Sequence, residues 1–174
     1  ALGATTTGHS NVAVGSNALQ NNTTSFNTAV GYNAAKDTTS GLANVAVGTS
    51  ALVSNTTGSN NVAIGLDTLQ VSTTANNNIA IGRDAMKSNT SGTQNVAVGT
   101  YSLDAATTAN NNTTVGYNSL GATTTGAGNT ALGMQALQDN TTADNNTAVG
   151  NEALRRNTTG AANVAIGALA LDAN

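Results

Sequence analysis

The chain has 174 residues, of which 31 are Leu, Ile, Val or Phe and 7% are charged, with a net charge of −3. So few cations exclude the basic footprint that nucleic acid or anionic lipid requires, and the lack of cysteine removes disulfides and thiolate metal sites. No apolar run approaches the ~18 residues of a membrane-spanning helix, so neither a nucleic-acid partner nor membrane insertion is expected. In chain order, the first landmark is Asn11-Val12-Ala13-Val14-Gly15, and variants of it return to the end of the chain. The glycine recurs at Gly15, Gly31, Gly48, Gly65, Gly82, Gly99, Gly116, Gly133, Gly150 and Gly167, a step of 17 residues except for the first, which is 16. The period runs through 1–174 without a break in composition, so one repeat domain is expected. Ala1-Leu2 shares the phase of Ala170-Leu171, which fits a segment of something longer.

Positions are counted below from the glycine of each coil. Val96, Ala97 and Val98, at −3, −2 and −1, alternate as a short strand does, and β-branched residues suit a pleated surface. Gly99 ends it. A second apolar pair follows at +3 and +4, as in Ala51-Leu52 and Ala153-Leu154, with Ala35 and Met86 replacing the leucine. Only about eight residues separate the glycine from the Asn-Thr-Thr turn, too few for a helix and its caps. The pattern predicts an all-β chain, a parallel β-solenoid of about ten 17-residue coils with two short strands and two turns each. Val, Ile and Leu are expected to stack into one narrow core.

Twelve of the thirteen charged residues fall at +1, +2, +5 or +6, which marks those columns as solvated. Position −2 is alanine in every coil but one, where Thr114 stands, and its side chain points away from the face that carries Val. No charged or long polar residue enters that column, so the strand is expected to be buried on both faces, with the Ala column as a seam for self-association, most simply of three chains about an axis. A flat single-chain solenoid with its alanines packed inside is the other arrangement. Asparagine occupies −4 in all ten coils, and Thr at +8 is followed by Thr or Ser and then usually by Gly or Ala. Asn-Thr-Thr-Gly is a turn whose side chains bond nearby backbone, and stacked asparagines would form ladders of amide hydrogen bonds.

Three functional readings of these residues are weaker than the structural one. Asn-x-Thr/Ser triplets such as those at Asn21, Asn55 and Asn111 arise from composition alone. Ice binding needs a wide exposed threonine face, whereas one Thr of each adjacent pair is expected to point inward. The aspartates are too scattered for calcium-binding repeats. His9 is the single histidine and an expected surface residue; nothing pairs a nucleophile with a base, so neither an enzyme nor a cofactor is implied. Tyr32, Tyr101 and Tyr117 occupy variable columns and are the candidate binding residues, as anchors for a partner, while Phe26 is expected to fill the gap left in the short coil.

Asn61-Val62-Ala63-Ile64-Gly65 and Asn163-Val164-Ala165-Ile166-Gly167 resemble the signature of head repeats in YadA-like trimeric autotransporter adhesins. The longer pattern, as in Asn27-Thr28-Ala29-Val30-Gly31-Tyr32-Asn33-Ala34, is similar to repeats of phage tail-fibre proteins and of bacterial surface proteins that end in a chaperone domain. The resemblance covers essentially the whole chain. It implies a left-handed roll, three chains side by side, and host or matrix ligands, although the repeat here is longer and no ligand-binding motif of the family is matched. A structural segment of an extracellular, cell-surface or virion fibre is therefore expected, acting as stalk or attachment element. The alternatives are a solenoid flank that binds glycan, matrix or ice, and an end-to-end stacking filament subunit.

Overall fold

The computed structural model describes residues 1–3 and 7–172. It is all-β: β1 (Val12–Val14), β2 (Thr28–Val30), β3 (Val45–Val47), β4 (Val62–Ile64), β5 (Ile79–Ile81), β6 (Val96–Val98), β7 (Thr113–Val115), β8 (Thr130–Leu132), β9 (Thr147–Val149) and β10 (Val164–Ile166). These form one parallel sheet in sequence order, and every pairing sets Val or Thr on its equivalent, as in Val45↔Val62 and Ala46↔Ala63. The period has become the register, and the chain is a β-solenoid.

Each coil holds one strand rather than two. From +1 to +6 the chain runs through successive turns, as where Ala18 N–H donates to Gly15 O, Gln20 N–H to Asn17 O and Asn22 N–H to Leu19 O. Asn17 and Leu19 have φ of 59° and 50°, and the +2 and +4 columns repeat this left-handed geometry along the rod. A left-handed residue with a Cβ costs about 1–2 kcal/mol, so the stacking must offset it. It does so because these turns also bond between coils: Asn33 N–H donates back to Ser16 O and Ala35 N–H forward to Ala51 O. At the strand end Gly99 has φ 139°, and a Cβ there would collide with the carbonyl of Gly116 in the next coil.

The side-chain directions correct the expected core. Alanines at −2, among them Ala29, Ala46, Ala63, Ala80 and Ala97, are fully buried inside the single chain, together with the +3 alanines and the leucines at +4. The Val and Ile columns face outward. The interior is narrow, and once Leu fills it the opposite wall has room only for a methyl group. The Ala column thus faces the interior of its own chain and not a seam between chains, and the outward face of the strand is the one that carries Val and Ile. Where Thr114 replaces Ala, its hydroxyl meets those of Ser119 and Ser102, which replace Ala at +3 in the same and the preceding coil respectively.

Polar ladders complete the interior. Asn44 Nδ2 donates to Asn27 Oδ1 of the preceding coil at 3.2 Å and to Gly58 O at 2.9 Å, and the pattern recurs at Asn61, Asn78, Asn95, Asn112 and Asn129. In the short coil Asn11 reaches Thr24 O, so the missing residue comes from the Thr turn. Phe26, 57% exposed and edge-on to His9, stays outside and fills no gap.

Candidate interaction surface

Among the described residues eighteen large apolar side chains are exposed, and twelve of them lie at −3, −1 or +1. Even far from the rod ends Ile64, Ile79, Ile81 and Val115 are 36–42% exposed. The only charge in these three columns is Arg83. The outer face of the sheet therefore carries one continuous apolar strip, the −1 column, bordered by −3 and +1 columns that mix apolar, hydroxyl and amide residues.

The candidate tyrosines fall on or beside that strip. Tyr32 stands alone in its coil at +1, 54% exposed. Tyr101 and Tyr117 meet edge to face with ring centroids 6.0 Å apart, and the Arg83 guanidinium lies 5.8 Å from the Tyr101 ring. Sequence alone missed Arg83 as the third member, because only stacking brings +1 and +2 residues of successive coils together.

Beside the tyrosines is an ion network. Asp84, buried, receives Arg83 Nε at 3.0 Å and Lys87 Nζ at 2.9 Å, and Lys87 also lies 3.7 Å from Asp67. The hydrogen bond to Asp84 raises the Lys87 pKa above its ordinary value. Burial pushes the Asp104 carboxyl up, aided by the charge of Asp84. Arg155 pairs separately with Glu152 at 2.7 Å. The charges of the four salt bridges among the described residues compensate, so they present little net field to a ligand.

The threonine turn differs from its expectation. The +8 hydroxyls do not point into the core; Thr39, Thr56 and Thr90 donate to the carbonyls of Thr56, Thr73 and Thr107. The +9 residues, such as Thr57, Thr74 and Thr108, are exposed, and the inward polar column is +7, as at Asn55 and Asn89. Burial also sorts the Asn-x-Thr/Ser triplets: Asn21, Asn111 and Asn145 are exposed, while Asn22, Asn55, Asn89, Asn112, Asn140 and Asn157 are enclosed. Among the described residues there is no pocket and no group of three or more potential metal ligands. No helix is long and apolar enough to cross a membrane.

No protein-family model, no curated protein and no solved structure matches the chain.

Proposed function

We propose that the chain is a structural segment of an extracellular or virion fibre, a rigid stalk or attachment element that assembles with further copies of itself along the outward Val/Ile strip. The observation that carries this reading is the strip with its −3 border, which leaves Ile79, Ile81 and Val115 in contact with water on a rod whose interior is already filled. Ten rungs at ~4.8 Å and a width of about 10 Å give on the order of 500 Å² per copy in projection. Two such faces hide on the order of 1,000 Å², the lower bound for a specific interface. A second copy is the occupant that fits best, since its strip has the same rise per coil, the same length and the same lack of charge. Three chains about a common axis with left-handed winding is the form that the resemblance to adhesin heads suggests.

The test is mass in solution by sedimentation equilibrium. A multiple of the chain mass that falls to one chain mass in the variant Val47→Lys/Ile81→Lys/Val98→Lys, with an unchanged far-UV spectrum, is the expected result. A wild-type chain that stays single at high micromolar concentration overturns the reading.

A further inference from the structure

A periodic strip poses a problem of stagger. Sliding one copy past another by one coil removes one rung of contact in ten and otherwise replaces Val with Ile or Thr. Something aperiodic has to select one alignment, and the column in which the coils differ most is +1.

That column varies together with −3. Thr occupies −3 in four coils, at Thr28, Thr113, Thr130 and Thr147, and those four coils carry Tyr32, Tyr117, Met134 and Asn151 at +1. The six coils with Val or Ile at −3 carry Ser, Thr, Leu, Arg, Thr and Ala. The two phenols, the thioether and the amide go with a hydroxyl at −3, and Ser, Thr, Leu and Ala go with an apolar residue there. Arg83 is the exception, and its guanidinium turns to Asp84 and Tyr101 of its own chain.

The correlation does not arise within one chain. Among the described residues no hydrogen bond joins the Tyr117 phenol to the Thr113 hydroxyl or the Tyr32 phenol to the Thr28 hydroxyl within the chain, and the bend at Gly116, φ 145°, lies between Thr113 and Tyr117. Neither Tyr32 nor Tyr117 has a hydrogen-bond partner for its phenol among the described residues, and both rings are half exposed. A buried phenol needs such a partner, and a threonine hydroxyl on a neighbouring surface supplies one. Any rotation axis parallel to the rod sets the −3 edge of one copy against the +1 edge of the next at the same height. An antiparallel pair would instead set the coil of Tyr117 against that of Val62 and lose the match.

We infer that neighbouring copies lie parallel and in register, with Tyr32, Tyr117, Met134 and Asn151 of one copy seated on Thr28, Thr113, Thr130 and Thr147 of the next, and that these pairs fix the stagger. This rests on the self-association proposed above. Apolar contact supplies the attraction, and the +1 residues choose the alignment.

The chain has no cysteine, so introduced thiols report contacts cleanly. Val45→Cys chains mixed with Thr49→Cys chains form a disulfide between copies only in register; Val45→Cys mixed with Leu66→Cys forms one only after a slip of one coil. Each chain carries a single thiol, so every such bond joins two copies, and it requires Cα atoms within about 7 Å. In the native background the in-register product is expected to exceed the slipped one by about tenfold, as a few pairs of the strength of cross-strand contacts would give. In the variant Tyr32→Ser/Tyr117→Ser/Met134→Ala the two products become comparable while the oligomer mass stays the same. An unchanged ratio in that variant, or a dominant slipped product in the native background, overturns the inference and leaves self-association standing. A single-chain mass with no disulfide from either mixture overturns both, and the mass distinguishes the cases.

Discussion

Asn44 donates its backbone N–H and its side-chain Nδ2 to one and the same acceptor, Oδ1 of Asn27 in the coil before, at 2.9 and 3.2 Å. From Asn44 to Asn112 each ladder asparagine thus bonds its predecessor twice and receives two bonds from its successor, whereas Asn146 uses only its backbone N–H. Asn78 shows the full set, since its amide also reaches Gly92 O at 2.9 Å and accepts from Asn95 N–H and Nδ2. Asn78→Ala would leave the buried Asn95 N–H without a partner, at about 1–3 kcal/mol, and would remove three further bonds, to Asn61 Oδ1, Gly92 O and Asn95 Nδ2, whose other partners remain, at about 0.5–1.5 kcal/mol each. A total loss of about 3–5 kcal/mol is expected, read as a fall in urea midpoint, whereas Thr74→Ala, at an exposed position of the same coil, stays within about 0.5 kcal/mol.

The reversed strand faces give a direct comparison of adjacent residues. Ala63 is fully buried and Val62 half-buried. Ala63→Val adds two methyl groups to a filled interior and is expected to cost about 1–3 kcal/mol. Val62→Ala removes the same volume from the outside and should cost less than about 1 kcal/mol in a single chain. The opposite order in thermal melts would mean that valine, not alanine, faces the core.

The hydroxyl trio predicts non-additivity. Thr114→Ala alone leaves Ser102 and Ser119 with fewer partners in an otherwise apolar core and should cost about 1 kcal/mol. The triple change Thr114→Ala/Ser102→Ala/Ser119→Ala restores the repeat pattern and is expected to be at least as stable as the natural chain. A double-mutant cycle on Thr114 and Ser119 reads the coupling.

Asp104 gives a pH signature. Burial raises its folded-state pKa above the ordinary 3.8, so the folded chain holds this proton more tightly than the unfolded chain does. Its contribution is therefore most favourable at acid pH, below the ordinary value, and is lost as pH rises through the folded pKa. Asp104→Asn should stabilise at neutral pH and gain nothing at about pH 3, seen as a difference in urea midpoint that grows between the two conditions.

Much of the architecture was legible because each coil repeats the same solution. The glycines gave the period, the asparagines at −4 the ladder, and the charges at +5 and +6 the solvated flank. The strand faces were not legible in the same way, because the outward face here carries Val, Ile and Thr and no charge. The corrective signal was present: a hydroxyl is tolerated freely at Thr28, Thr113, Thr130 and Thr147, whereas the one at Thr114 comes with Ser102 and Ser119 to satisfy it. The turn path from +1 to +6 was not legible, since leucine disfavours left-handed backbone and only inter-coil bonds such as Leu52 N–H to Thr68 O hold it there. The candidate tyrosines were visible as exceptions to the repeat, but the meeting of Tyr101 with Tyr117 and Arg83 needed the stacking of coils.

The sequential order of the sheet governs how the rod responds to tension. Neighbouring strands are also neighbours in sequence, from β1 to β10, so a pull on the two termini loads the bonds between coils along their own direction. Rupture of one interface frees a single 17-residue winding, which lengthens from one ~4.8 Å rise to about 56 Å of extended chain. Stretching one molecule should therefore give a staircase of equal steps of about 50 Å, each absorbing work while the coils not yet opened keep their form.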